Sequence, residues 1–306
     1  MSLIMQLIRP LINGTTVAGG RGQGDHSSQL YNPLYMTIDD DDETIYVSDQ
    51  YNYRIVAWRK NATRGEVVAG GKGLGMGADQ LQYPYGVIID KQTDSLIIAD
   101  LRNKRVVRWP RRNGTRGETI FADVNCWSLA MDSSGRIYIA DAEKDEVRRW
   151  TIGETKGTLI AGGNGRGVGL NQLNMPRYIY IDKNDTLYIS DSGNHRVLKL
   201  TKDAKNVTVI AGNNGPGCHL TQLKFPMGIV VDDAGVLYVA DSANDRVVRW
   251  FPCAIQGELF VVGNGKGKQE KKLNQPIDIR FDRHGNFYVL EYRDGRVQMF
   301  SSRDLN

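Results

Sequence analysis

An acidic residue followed five positions later by arginine recurs about every 50 residues along the chain. The clear copies are Asp49/Arg54, Asp100/Arg105, Asp191/Arg196 and Asp241/Arg246, and the weaker ones are Asp141 with Val147, where the Arg position slips, and Glu291/Arg296. Because a repeat of this length buries too little apolar surface alone, the units must pack against one another. Six such units fill the 306 residues.

Each unit has the pattern of an antiparallel meander. Between Pro226 and Trp250, the apolar runs 229–231, 236–240 and 246–250 are separated by turns rich in Asp, Asn and Gly. A short apolar run after Gly-Glu adds a fourth strand, and the strands are named a to d from the centre outward. About four strands in a unit of this length predict an all-β, six-bladed β-propeller with four-stranded antiparallel blades.

The two ends of the chain predict how the ring closes. After the last strand c, at 297–300, too few residues remain for a strand d, whereas residues 15–18 resemble every other strand d. We expect this N-terminal strand to complete the last blade, a closure that leaves no free sheet edge. The prediction is a single domain over 1–306, in which residues 1–12 resemble a remnant of a neighbouring segment.

Composition excludes few classes of function. The formal charge of +4 is mild, and Cys126, Cys218 and Cys253 form no CxxC pair, so neither a metal knuckle nor a disulfide framework is predicted. No apolar run is long enough to span a membrane, and no signal peptide is apparent. Five Asn-x-Thr sequons suit a secretory route, but they also suit hairpin turns, so the location stays open. The sequons begin at Asn13, Asn61, Asn113, Asn184 and Asn206.

The motif Asp-x-x-Asn-x-Arg, followed by Val or Ile, stands at 49–55, 191–197 and 241–247. With its glycine-rich loop, it resembles the NHL repeat, whose domains are six-bladed propellers. The resemblance covers essentially the whole chain. It implies the fold but leaves function open, because NHL-like propellers include protein-binding and RNA-binding domains and the lyase of peptide amidation.

Repeated residues are interpreted as structural. In most units a glycine-rich stretch is followed by Gln-Leu-x-x-Pro. These stretches are predicted to connect strand d to the next strand a rather than to bind phosphate. The repeated Asp is predicted to cap the b-to-c turn and the Arg to pair with it. The tryptophans at the ends of strand c are predicted to pack between blades.

An enzyme of this class is the second alternative. The amidating lyases that the family resembles place several histidines around a channel metal, but His26, His195, His219 and His284 are predicted to lie apart. A calcium-dependent lactonase needs several channel carboxylates or amides, and the inner strands offer Asp278. The sequence therefore favours a non-catalytic protein and predicts no cofactor and no metal.

Positions that differ between units carry the functional prediction. The two residues after the proline position of strand a vary in type, and the third unit is about ten residues short. This unit is expected to leave a notch at Cys126 and Trp127. We predict a monomeric platform that binds a protein or peptide at the channel mouth, against the alternative of drift at a loosely constrained rim. The predicted site consists of Tyr35, Tyr85, Trp127, Arg177, Tyr178, Met227 and Asp278.

Basic residues at strand c ends and c-to-d turns give the first alternative, which is binding of RNA or another polyanion. Acidic a-to-b turns such as 39–43 lie on the same face and weaken the field. Basic residues beside an edge strand also prevent aggregation. The predicted patch consists of Arg108, Arg111, Arg112, Arg116, Arg148 and Arg149.

Overall fold

The computed structural model describes residues 14–202, 207–262 and 273–305. Within them the chain forms six four-stranded antiparallel sheets, as predicted. The predicted remnant 1–12 and the glycine-rich stretch 263–267 lie outside the described residues.

Strand β1 (Thr15–Gly19) precedes the first blade, and the following strands belong to blades in chain order. Blade 1 consists of β2 (Pro33–Asp39), β3 (Thr44–Asp49), β4 (Arg54–Trp58) and β5 (Glu66–Gly70). Blade 2 consists of β6 (Pro84–Asp90), β7 (Ser95–Asp100), β8 (Arg105–Pro110) and β9 (Glu118–Ala122). Blade 3 consists of β10 (Ser128–Met131), β11 (Ile137–Asp141), β12 (Glu146–Trp150) and β13 (Thr158–Gly162).

The second half of the chain repeats this order. Blade 4 consists of β14 (Pro176–Ile181), β15 (Leu187–Asp191), β16 (Arg196–Leu200) and β17 (Thr208–Gly212). Blade 5 consists of β18 (Pro226–Val231), β19 (Leu237–Asp241), β20 (Arg246–Trp250) and β21 (Glu258–Val262). Blade 6 consists of β22 (Pro276–Phe281), β23 (Phe287–Glu291), β24 (Arg296–Phe300) and β1, and a short helix α1 (Ser302–Leu305) follows it.

The predicted closure is confirmed. Strand β1 pairs antiparallel with β24, with Thr15 opposite Met299 and Thr16 opposite Gln298. The innermost strands contact one another in the order β2, β6, β10, β14, β18, β22, and β22 contacts β2. Both ends of the described chain therefore meet in one sheet, which closes the ring.

The core lies between neighbouring blades. One position of every inner strand is 1% exposed or less, and apolar residues fill it in all six blades, namely Met36, Val87, Leu129, Ile179, Ile229 and Ile279. The tryptophans at the ends of strand c are also buried, as predicted, namely Trp58, Trp109, Trp150 and Trp250. Burial of such side chains stabilises each blade by about 1.5–3 kcal/mol per residue, so no blade is stable without its neighbours.

Strand direction gives the ring two distinct faces. The b-to-c turns and the d-to-a connections share one face, called here the upper face, and the a-to-b and c-to-d turns share the lower face. Four b-to-c turns form a single turn of 3₁₀ helix, namely Gln50–Asn52, Leu101–Asn103, Ser192–Asn194 and Ser242–Asn244.

The three cysteines are free. Among the residues that the structure describes, no helix has the length and apolar content needed to cross a membrane.

Candidate functional site

The seven predicted site residues lie at the upper ends of the inner strands, but in two layers. Tyr85, Trp127, Arg177 and Met227 occupy the outer layer, which forms the channel mouth. Tyr35, Tyr178 and Asp278 follow one position later in their strands, and at most 1% of each is exposed. The sequence placed all seven at the mouth, whereas the structure buries these three inside the channel.

The inner layer joins blades across the channel. The rings of Tyr35 and Tyr178 stack with centroids 5.0 Å apart. The Tyr35 hydroxyl donates to the backbone carbonyl of Leu129 at 2.8 Å, and the Tyr178 hydroxyl donates to the Asp278 carboxylate. These contacts connect blade 1 to blade 3 and blade 4 to blade 6, so the two tyrosines close the channel.

Arg280 completes this buried cluster. Its guanidinium lies 5.1 Å from the Tyr35 ring centroid and 5.4 Å from that of Tyr178, and it pairs with Asp278 at 2.9 Å. The other Asp278 oxygen accepts the Met36 backbone N–H at 2.8 Å. Burial raises the pKa of both phenols and of the Asp278 carboxyl, and Arg280 opposes all three shifts. The cluster is paired and closed to solvent, which suits a structural plug.

The outer layer differs in polarity and exposure. Tyr85 and Met227 are buried, whereas Trp127 and Arg177 are only partly buried. The Tyr85 and Trp127 rings lie 5.2 Å apart, and the Arg177 guanidinium lies 5.2 Å from the Trp127 ring centroid. The Nε atom of Arg177 and the Nε1 atom of Trp127 are buried without a hydrogen-bond acceptor. The mouth therefore carries two polar donors that no described residue satisfies.

The third unit is open beside this pair. Its connection from β9 to β10 is only 123–127, whereas other d-to-a connections run over 20–32, 71–83, 163–175 and 213–225. Each of these longer connections lies over the blade that it enters, because the strand c arginine of that blade donates to its carbonyls. Blade 3 lacks such a cover, as expected from its length.

The repeated Asp and Arg have structural roles. Asp49 pairs with Arg54 at 2.7 Å, and its other oxygen accepts the Tyr31 backbone N–H from the d-to-a connection at 2.6 Å. The predicted cap of the b-to-c turn is wrong here, because the Asp49 side chain makes no capping bond to that helix. In blade 3, Glu146 rather than Val147 lies opposite Asp141, so an acid replaces the arginine.

A cluster of tyrosines on the upper face was missed by the sequence. Tyr31 and Tyr51 are 40% and 39% exposed, with ring centroids 5.2 Å apart. Tyr83 lies 5.3 Å from both Tyr51 and Tyr53. The Arg102 guanidinium lies 5.9 Å from the Tyr83 ring centroid. The signal was available: Tyr51 occupies a turn position that holds glycine or alanine in blades 4 and 5.

The predicted basic patch is largely neutralised. Arg108 pairs with Glu118 at 2.7 Å, and Arg148 pairs with Glu146 at 2.7 Å. The remaining ion pairs join Arg111 to Asp39 and Asp94, and Arg112 to Asp94. Within the described residues, Arg116 and Arg149 form no ion pair. A field from two free cations is small, which does not favour a polyanion surface.

The histidines do not converge. His26 and His219 bond to nearby hydroxyls in separate connections, at 3.1 and 3.0 Å. His195 accepts the Phe225 backbone N–H at 3.2 Å, and His284 lies on the lower face, 3.6 Å from Glu43. In the described part of the chain, no three His, Cys, Asp or Glu residues are placed to hold a metal ion. These residues do not fit the channel metal of a lyase.

Two clefts on the lower face lie at equivalent boundaries between neighbouring blades. One of about 410 Å³ lies between blades 6 and 1, and one of about 680 Å³ lies between blades 4 and 5. Tyr288 and Trp58 line the first, and their counterparts Tyr188 and Trp250 line the second. Because equivalent residues form both clefts, they follow from the blade architecture.

Comparison with known proteins agrees with this architecture. A family model described as NHL repeat matches residues 173–200, which span β15 and β16 of blade 4. Together with six four-stranded blades, this match supports an NHL-repeat β-propeller. No curated protein sequence matches the chain.

Solved structures resemble the chain in fold. A protein of unknown function from Bacteroides thetaiotaomicron has a TM-score of 0.72 and 16% identity, over 94% of this chain and 75% of that one. An auxiliary nutrient binding protein from the same organism has a TM-score of 0.71 and 15% identity, over 95% and 76%. A streptogramin B lyase structure has a TM-score of 0.57 and 10% identity, over 91% and 95%. At such identities the likeness concerns the fold alone.

Proposed function

We propose that this propeller is a non-catalytic binding platform that recognises a protein or peptide on its upper face, acting as a monomeric single domain. The observation that carries the proposal is the cluster of the exposed Tyr31 and Tyr51 with the half-buried Tyr83. Tyrosine is enriched at the centres of protein interfaces, where its rigid ring gives a large contact area and its hydroxyl a hydrogen bond. The fold does not need these rings, since other blades carry small residues at the Tyr51 position.

The mouth supports the same interpretation. Trp127 and Arg177 are partly exposed beside the uncovered third blade, and both residue types are frequent at interface hot spots. The Tyr85 and Trp127 rings also lie in contact, 5.2 Å apart. The mouth and the tyrosine cluster thus both place aromatic side chains on the upper face.

Crosslinking from defined positions tests the platform. A photoreactive phenylalanine analogue at Tyr51 is expected to capture a protein, which mass spectrometry then identifies. The matched control places the analogue at Ile255, which is 90% exposed in a c-to-d connection on the lower face. Equal capture at both positions, or RNA rather than protein captured at Tyr51, would contradict the proposal.

Substitution provides the quantitative test. Tyr51→Ser with Tyr83→Ser is expected to weaken binding of the captured protein by about 2 kcal/mol or more, because exposed aromatic anchors dominate interface energies. Phe251→Ser, which removes an exposed ring from the lower face, should leave the affinity unchanged. Titration calorimetry with the purified pair measures both effects.

A further inference from the structure

Arg177 combines a buried guanidinium nitrogen with the lack of an acidic partner among the described residues. In the described chain it donates no hydrogen bond and forms no ion pair; its guanidinium lies 5.2 Å from the Trp127 ring centroid and acts electrostatically on the neighbouring Tyr85 phenol. By contrast, Arg196, Arg246 and Arg280 are each paired with a carboxylate within 3 Å. Each of these three arginines thus has a carboxylate partner, whereas the Arg177 guanidinium at the channel mouth has none among the described residues.

The surroundings of Arg177 make this arrangement unfavourable without a ligand. Leu34, Met227 and Ile277 share its layer and are buried, and none of them carries a charge or a side-chain oxygen or nitrogen. A buried donor without an acceptor is destabilising, and the mouth has two, Arg177 Nε and Trp127 Nε1. Such groups in a native fold call for an explanation, and a bound acceptor is a direct one.

We propose that Arg177 and Trp127 hold a carboxylate of the partner at the channel mouth. This inference rests on the proposed platform and adds the chemistry of its central contact. A planar carboxylate matches the guanidinium fork, and the indole N–H supplies one further donor. Because Arg177 is only partly buried, the carboxylate reaches the guanidinium from solvent, and rotamer changes then bring the indole N–H into the contact.

The charge of the mouth distinguishes a carboxylate from a phosphate. Arg177 is the cation of the outer layer, whose other members are Leu34, Tyr85, Trp127, Met227 and Ile277. One cation balances a monoanion, whereas a dianion would bring an uncompensated charge into an apolar ring. The apolar neighbours also suit an aliphatic side chain beside the carboxylate, as at a chain terminus ending in leucine.

Nuclear magnetic resonance with small probes tests this contact. The Trp127 indole N–H resonance, assigned with Trp127→Phe, is followed while N-acetyl-leucine or N-acetyl-leucinamide is added. The acid is expected to shift this resonance saturably and to bind at least about tenfold more tightly than the amide. A blocked aspartate with a free side-chain carboxylate tells a side-chain source from a terminal one. Equal binding of acid and amide, or tighter binding of inorganic phosphate, would overturn the proposal.

Variants assign the effect to the guanidinium. Arg177→Gln is expected to abolish the preference for the acid, and Arg177→Lys to keep the charge but weaken the acid severalfold by loss of the fork. The control is Arg249→Gln, which removes a guanidinium that lies 5.0 Å from the Phe251 ring, outside the mouth, and should change nothing. A preference that survives in Arg177→Gln would refute the assignment.

The two proposals fail separately. If crosslinking at Tyr51 captures a protein but the acid and amide probes bind equally, the carboxylate contact is wrong and the platform stands. If the acid probe binds as expected but Tyr51 captures nothing, the platform is wrong, and the mouth is a carboxylate site with another use.

Discussion

At the scale of single residues, Arg196 explains why arginine recurs in strand c. Its Nε atom donates to Asp191 at 2.8 Å, and its two terminal nitrogens donate to the carbonyls of Val168 and Gly169 at 2.7 and 3.0 Å. One planar group thus joins strand b, strand c and the long connection. Lysine has no fork and cannot reach these acceptors together.

Replacement of this residue should be costly. Arg196→Lys is expected to lower the free energy of unfolding by about 2–4 kcal/mol, because the buried Asp191 carboxylate and the carbonyls of the connection lose their donors. Arg108→Lys is the control, since its partner Glu118 is exposed and such pairs contribute at most about 1 kcal/mol. Denaturant titration measures both values, and similar losses would show that the connection is held by other contacts.

The buried channel cluster gives a second prediction. Asp278→Asn leaves the Arg280 charge inside the channel without its counter-ion, so a loss of about 3–5 kcal/mol is expected. Asp233→Asn removes an exposed carboxylate that pairs with Lys183 and should change stability by less than about 1 kcal/mol. Equilibrium unfolding in urea compares the two. A small effect of Asp278→Asn would mean that water reaches Arg280.

At the scale of elements, closure by β1 depends on close backbone packing. Gly19 has φ +66°, and a Cβ at this position would lie 2.2 Å from the Gly295 carbonyl oxygen. Gly73 has a similar φ of +78°, but a Cβ there meets nothing within 4 Å. The same conformation thus occurs with and without a crowded neighbour.

These two glycines separate backbone strain from packing. Gly73→Ala is expected to destabilise the protein by about 1–2 kcal/mol, because a left-handed residue now carries a side chain. Gly19→Ala adds the clash with the last blade, so a loss at least about twice as large is expected. Thermal unfolding measures the stability lost in each variant. Equal losses would mean that the backbone between β1 and the last blade shifts to accommodate the added methyl group.

The elements were predictable because their signal repeats. Apolar runs separated by Asp and Gly turns recur in six units, so strands a to d and the role of 15–18 as the closing strand could be inferred from local pattern alone. The exception is blade 3, where the shifted alignment placed Val147 against Asp141. The structure pairs Glu146 with Asp141, a register that only the ladder of β11 and β12 defines.

The site was less predictable because its contacts are not local. Variation at one position pointed to Trp127 and Arg177, but nothing near Tyr178 in the sequence indicates a bond to Asp278 of another blade. The surface of Tyr51 and Tyr83 likewise joins turns from different blades. Such contacts depend on the order and curvature of the ring, which a local pattern does not contain.

At the scale of the whole molecule, buried tyrosines make stability sensitive to alkaline pH. Burial raises the pKa of Tyr46, Tyr85 and Tyr238 from 10.0 to about 12. In the unfolded chain these phenols lose their protons near pH 10, so the folded state binds more protons above that value. Their contribution to stability is complete below pH 10 and is lost as the pH rises towards 12.

The free energy of unfolding should therefore fall steeply between pH 10 and pH 12. Urea titrations across this window measure the slope, and phenolate absorbance of the folded protein reports how many tyrosines remain neutral. Tyr85→Phe removes one of the responsible groups and should make the slope shallower. An unchanged slope in this variant would mean that Tyr85 ionises freely in the folded state.

Closure by β1 also has a consequence for synthesis. The strand that completes blade 6 is the first described strand to leave the ribosome, and its partner β24 is among the last. Until β24 has been synthesised, every nascent chain carries an unpaired strand and an open ring, whose edges invite pairing with other chains. Early blades of this protein must therefore wait for the final one, and slow translation prolongs the time in which chaperones are needed.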